Sequence, residues 1–109
     1  MKIQLHIKPL SVNEAWQGRR FKTKKYKAYE KELMLLLPNS YEIPEGDLHV
    51  TYEFGLSKMA DWDNPVKPLQ DILQKKYNFD DRRIIKAEVV KHVVKKGDGY
   101  FNFEIMKAL

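Results

Sequence analysis

"DWDNPVKPLQDILQ", residues 61–74, is where the chain changes its period. Upstream, residues 48–54 ("LHVTYEF") alternate, with Leu48, Val50, Tyr52 and Phe54 on one face and His49, Thr51 and Glu53 on the other. That two-residue repeat is the mark of a half-buried strand. Downstream, Val66, Leu69, Ile72 and Leu73 recur at helical spacing, which predicts a helix with one buried face running to about Lys76. The junction between the two is polar, carries two prolines, and holds Asp61, Asp63, Asn64, Lys67 and Asp71.

Working outward, residues 2–8 alternate Ile3, Leu5 and Ile7 against Lys2, Gln4, His6 and Lys8, and Pro9 ends that strand. The connection "LSVNEAWQGRRFK" is long for a compact domain, and such loops are often functional. Thr23 is placed to cap a helix from about Lys24 to Leu37, with Tyr26, Tyr29, Leu33, Leu36 and Leu37 at helical spacing. Met34 and Leu35 widen its apolar face, a candidate for core or for a subunit contact. After the turn "YNFDD", residues 83–94 read as a β-branched strand and "KKGDG" as a hairpin turn. The return strand, Tyr100 to Met106, points Phe101, Phe103 and Ile105 inward. The expectation is an α+β fold, one domain spanning 1–109, in the order β-α-β-α-β-β. Two helices pack on a mixed sheet whose last two strands form an antiparallel hairpin.

Composition narrows the function classes. With 43% hydrophobic and 32% charged residues the chain suits a folded domain rather than a disordered one. The lack of cysteine excludes disulfides and thiolate metal sites, and points to a cytoplasmic setting. The opening residues lack a continuous apolar segment, and no apolar run approaches a membrane span, so neither a secretory signal nor a membrane partner is expected. The net charge of +5 is concentrated: Arg19, Arg20, Lys22, Lys24, Lys25 and Lys27 lie between Trp16 and Tyr29 without an acid among them. Interleaved with Trp16, Phe21, Tyr26 and Tyr29, they suggest a surface for a phosphate backbone with stacking groups beside it. The plainer alternative is a solvated helix face.

Why, then, does a basic chain gather aspartates around Lys67? Residues two apart on an extended chain point to the same side, so Asp61 and Asp63 are expected to converge. Two converging carboxylates repel unless a cation joins them, and Mg²⁺ prefers carboxylate oxygens, waters and phosphate. Asn64 before Pro65 has the form of a helix cap and first helical residue, although Pro68 leaves open a start three residues later. A lysine in the first turn opposes the helix dipole, and Asp71, four residues on, is placed to hold it. Asp80 and Asp81 add carboxylates from a second element, the usual make-up of metal-dependent phosphodiesterase sites. The alternative makes Asp63–Asn64 a cap and Asp80–Asp81 a turn. His6, His49 and His92 have no zinc spacing, and Ser11 and Thr23 lack a His–Asp context.

"DWDNPVKPLQDIL" followed by "FDDRRI" resembles the D-x-D-N-x-x-K-x-x-x-D-x-L and D-D motifs of the RusA-type Holliday-junction resolvases. "PLSVNEAWQGRR" and "YKAYEKEL" are similar to that family's N-terminal segment and first helix. The resemblance implies a Mg²⁺-dependent endonuclease of DNA recombination and repair, acting as a homodimer on four-way DNA junctions by paired symmetric nicks. It places the metal-binding aspartates at Asp61, Asp63 and Asp81, with Asp80 beside them, and the catalytic lysine at Lys67. Asn64 and Asp71 take supporting roles. Arg19, Arg20, Lys22, Lys24 and Lys25 are the residues expected on the DNA. Pro65 and Pro68 depart from the helix formers of related sequences. Two rivals stand beside this reading: a non-catalytic nucleic-acid-binding protein on the same scaffold, and a metal nuclease for flaps, forks or RNA.

Overall fold

The computed structural model describes residues 1–18 and 21–109. Along the chain come β1 (Ile3–Leu5), α1 (Val12–Ala15), β2 (Trp16–Gln17), β3 (Phe21–Lys22), α2 (Lys24–Leu36), β4 (Leu48–Leu56), α3 (Val66–Tyr77), a 3₁₀ turn (Asp81–Arg83), β5 (Ile84–Val93) and β6 (Tyr100–Lys107). The α+β class and the β-α-β-α-β-β order of the main elements are as expected. The long connection before α2 adds the short helix α1 and the ribbon β2–β3.

One pairing corrects the expectation. The four-stranded sheet runs β1-β6-β4-β5, so β5 and β6 are not neighbours and residues 95–99 do not close a hairpin. β5 pairs parallel to β4, while β6 lies between β1 and β4 and is antiparallel to both. Burial explains the choice. Phe101, Phe103 and Ile105 need covering on both flanks, which only an interior strand has, whereas β5 is exposed along most of its length. The chain leaves β5 with Val94 N–H donating to Leu56 O at 2.9 Å, then steps across the end of β4.

One face of the sheet presents Val50, Tyr52, Phe54, Phe101 and Phe103 to Tyr26, Tyr29 and Leu33 of α2 and to Leu69, Ile72 and Leu73 of α3. These are the apolar positions that strand and helix periodicity single out, and their burial is the main term holding the layers together. The other face is polar. Asn102 is only 4% exposed, yet its amide is satisfied by Glu53 at 2.7 Å and Gln4 at 3.2 Å. Hydrogen bonding to Asn102 holds the Glu53 carboxyl below its ordinary range, helped by Lys2 and His92.

Thr23 caps α2 as expected, its hydroxyl accepting from Tyr26 N–H at 3.1 Å. The wide apolar run at the end of α2 divides: Leu33 and Leu37 enter the core, while Leu35 and Leu36 are 75% and 54% exposed. Helix α3 opens at Val66 with Pro65 in the cap position and no side-chain cap, so Asn64 does not cap it. Pro68 is therefore the third helical residue, where its missing N–H would have had no intrahelical acceptor. The helix starts before Pro68 without losing a bond.

Candidate active site

The segment between β4 and α3 is a succession of tight turns. Ala60 N–H reaches Ser57 O at 3.1 Å, Asn64 N–H reaches Asp61 O at 3.3 Å, and Val66 N–H reaches Asp63 O at 3.1 Å. Two tethers from elsewhere hold it: Val12 N–H donates to Asn64 O at 2.8 Å, and the Lys91 ammonium of β5 donates to the carbonyls of Lys58 and Ala60. The carboxylates are thus carried on turns rather than on an extended strand end. Asp61 and Asp63 accordingly line different concavities. Asp63 lies in an open groove with Trp62, Val66, Lys67, Gln70, Ala87, Val89 and Lys91. Asp61 borders a cavity of about 600 Å³ whose rim includes Lys8, Lys95 and Lys96.

Lys67 stands in the first turn of α3 and its ammonium meets Asp71 at 2.9 Å, the i,i+4 pair expected of that spacing. The hydrogen bond to Asp71 raises its pKa above the ordinary lysine value, with the negative charges of Asp71 and Asp81 adding to it. Lys67 is therefore a persistent cation, not a proton acceptor, at neutral pH. Asp81 is set from α3 as well: its backbone N–H donates to Gln74 Oε1 at 2.9 Å, and Gln70 Nε2 lies 3.4 Å from its carboxylate. Gln70 is in turn oriented by the Tyr52 hydroxyl at 3.0 Å. Burial, reinforced by Asp81 and Asp71, raises the pKa of Tyr52, which keeps it a neutral donor. Gln74 Nε2 closes the network on Asp71 at 3.4 Å.

Sequence reasoning missed Gln70, Gln74 and Tyr52. The signal was present in part, since Lys67, Gln70, Asp71 and Gln74 share one helical face. Asp80 has a different occupation. It caps the 3₁₀ turn through Arg82 N–H and grips the Arg82 guanidinium at 2.7 Å, which holds its carboxyl down at about 2. Among the described residues no three carboxylate or imidazole groups stand together as a ready ligand set. The donors nonetheless suit a hard divalent ion in kind. Asp63 is exposed at the groove and Asp81 stands behind Gln70, and Mg²⁺ takes only one or two protein carboxylates with waters and substrate phosphate.

The basic stretch is partly spent within the fold. Lys22 reaches Glu30 at 3.1 Å and lies over the Tyr26 ring, and Lys25 reaches Glu14 at 3.1 Å. Lys24 is exposed and has no ion pair with a described residue. Tyr26 and Tyr29 are buried and Trp16 packs edge-on against Tyr26, which leaves Phe21, 71% exposed, as the open aromatic of the group. Arg19 and Arg20 lie outside the described residues.

No helix among the described residues is long and apolar enough to cross a membrane. The family model described as Endodeoxyribonuclease RusA matches residues 8–100. No curated protein matches the chain.

Proposed function

The chain belongs to the RusA endodeoxyribonuclease family, whose members resolve Holliday junctions, and from that premise we propose that it cuts four-way DNA in the cytoplasm with Mg²⁺, by paired symmetric nicks from a homodimer. One observation carries the proposal. A persistent ammonium, Lys67, stands at an uncapped helix start between the acidic groups Asp63, Asp71 and Asp81, in an exposed groove.

In this reading Asp63 and Asp81 hold the ion, Asp61 lends charge from the neighbouring cavity, and Asp80 acts through its grip on Arg82. When bound, Mg²⁺ supplies charge neutralisation at the phosphate and lowers the pKa of a bound water. Lys67 contributes a positive charge toward the scissile phosphate, its raised pKa favouring the protonated, donating form. Asp71 keeps that ammonium aimed, and Gln70 and Gln74 fix Asp81. Asn64 contributes through its backbone, whose carbonyl ties the acid-bearing turn to α1. Lys24, with Arg19 and Arg20, engages the backbone of the junction arms, while Lys22 and Lys25 are held by Glu30 and Glu14.

The free edge of β5 supports the dimer. Among the described residues it pairs with β4 alone, and Ile85 and Val93 are 61% and 63% exposed. Long apolar edges are normally covered by pairing. A twofold-symmetric enzyme meets the two related scissile phosphates of a junction with identical sites.

The test is cleavage of a synthetic four-way junction beside linear duplex of the same sequence, with Mg²⁺ and with EDTA. Symmetric nicks on the junction alone, lost in EDTA, are expected. Cutting of both substrates would discard the junction preference. Tight binding without cutting would make the protein a non-catalytic DNA binder.

A further inference from the structure

We propose that Lys91 is a positioning residue for cleavage, its ammonium fixing the turn that presents Asp61 and Asp63. This rests on the reading of those acids given above. The sheet ladder between β4 and β5 ends where Val94 N–H meets Leu56 O, so the segment from Ser57 to Asn64 has no strand to lie against. Its own turns supply local bonds only. Lys91, opposite Phe54 in the ladder, projects on the helix side beside Ala87 and Val89 and reaches forward along the groove. Its ammonium donates to Lys58 O at 3.0 Å and to Ala60 O, and Ala60 directly precedes Asp61.

Both acceptors are neutral carbonyls, and no described carboxylate pairs with Lys91. An ammonium that merely sought a charge partner would gain more from a carboxylate than from two carbonyls. Placed as it is, Lys91 couples the edge strand to the acid-bearing turn across more than thirty residues of sequence. A displacement of about 1 Å in such a site costs on the order of 100-fold in rate, so a tether of this kind matters for function even where it adds little stability.

The experiment compares Lys91→Met, which keeps the stem and removes the donor, with Lys91→Arg and Lys91→Gln. Three quantities are read on the full chain: amide exchange over residues 58–64, Mn²⁺ binding by titration of the protein alone, and the Mg²⁺ dependence of junction cleavage. Lys91→Met is expected to speed exchange in that segment about tenfold, to weaken Mn²⁺ binding by about 10- to 100-fold, and to raise the Mg²⁺ needed for half-maximal cleavage similarly. Unfolding temperature stays close to wild type, and Lys91→Arg recovers most of the loss. Should Lys91→Met not fold, Lys91→Gln, which keeps a neutral amide donor on a shorter stem, is expected to give intermediate values of the same three quantities.

Unchanged exchange and unchanged metal binding would overturn the proposal. Faster exchange with unaltered metal binding and cleavage would overturn it too, leaving Lys91 a structural tether only. If the wild-type protein bound Mn²⁺ yet cut no DNA, the cleavage reading would fall. Exchange and Mn²⁺ binding would still decide whether Lys91 positions the acids.

Discussion

The two long helices begin in opposite ways. Helix α2 starts on a Thr23 hydroxyl that accepts from Tyr26 N–H at 3.1 Å and donates to Glu14 O at 2.6 Å, and lysines near its start are drawn to Glu14 and Glu30. Helix α3 starts on Pro65 with no side-chain cap, and its first turn carries Lys67 against the helix dipole. The first start is satisfied by the fold itself. The second sets a cation against the helix dipole at an open groove, balanced by an ion pair to Asp71 alone among the described residues. Groups arranged for folding pair among themselves, whereas groups arranged for a ligand are left to be completed by it.

The sharpest way to break this comparison is at Lys67. Lys67→Met should lower junction cleavage by on the order of 10²–10³, the usual effect of removing one fixed donor to a charged transition state. Unfolding should hardly change, because an exposed i,i+4 pair and an unfavourable dipole term are both small and oppose each other. The Lys67 pKa is raised, so its interaction with Asp71 is fully present below the ordinary lysine value and lost only as pH rises through the raised one. The ratio of wild-type to variant rates should therefore be the same on either side of neutrality. A ratio that collapsed near neutral pH would mean that Lys67 acts as a base.

At α2 the expected pattern is reversed. Thr23→Ala should cost about 1 kcal/mol, or about 4–8 °C in unfolding temperature, with the cleavage rate of the folded protein unchanged. A loss of rate without loss of stability would show that the start of α2 also serves the reaction.

The smallest effect concerns salt. If Lys22, Lys24 and Lys25 all contacted phosphates, neutralising them would reduce the salt slope of binding by about 2.7, at roughly 0.9 per contact. Because Lys22 and Lys25 are paired with Glu30 and Glu14, the expected reduction is about 0.9, from Lys24 alone. Binding measured across a salt series decides between the two values.

The central layer was legible because it is periodic. The alternation from Leu48 to Phe54 marks the strand that runs on to Leu56, and the apolar spacing of α2 and α3 names most of the residues they bury. The place of β6 was not legible. A β-branched run followed by a glycine-bearing turn reads as a hairpin whichever neighbour the next strand takes, and only burial from β1 and β4 decides it. Asn102 hid the answer further, since a buried asparagine makes sense only once Glu53 and Gln4 are seen across the sheet.

At the site the motif residues could be named in advance, but their directions could not. Tight turns turn Asp61 and Asp63 to separate concavities, and Arg82 takes Asp80 into a cap. Tyr26 and Tyr29, which as sequence suit stacking on bases, are needed by the core. Gln70 and Gln74 escaped notice because glutamine on a helix face is ordinary until its partner, Asp81, arrives from another element.

The most direct test is single-turnover junction cleavage by Asp63→Asn, with binding measured on the same preparation. The Asp63 carboxylate makes no hydrogen bond or ion pair with a described residue, so the substitution should leave the fold intact. Cleavage is expected to fall by more than about 100-fold, beyond the usual effect of a merely supporting group, with binding retained or tightened as a negative charge near phosphate is removed. Cleavage at the wild-type rate with unaltered metal dependence would contradict the account and move the active site away from the start of α3.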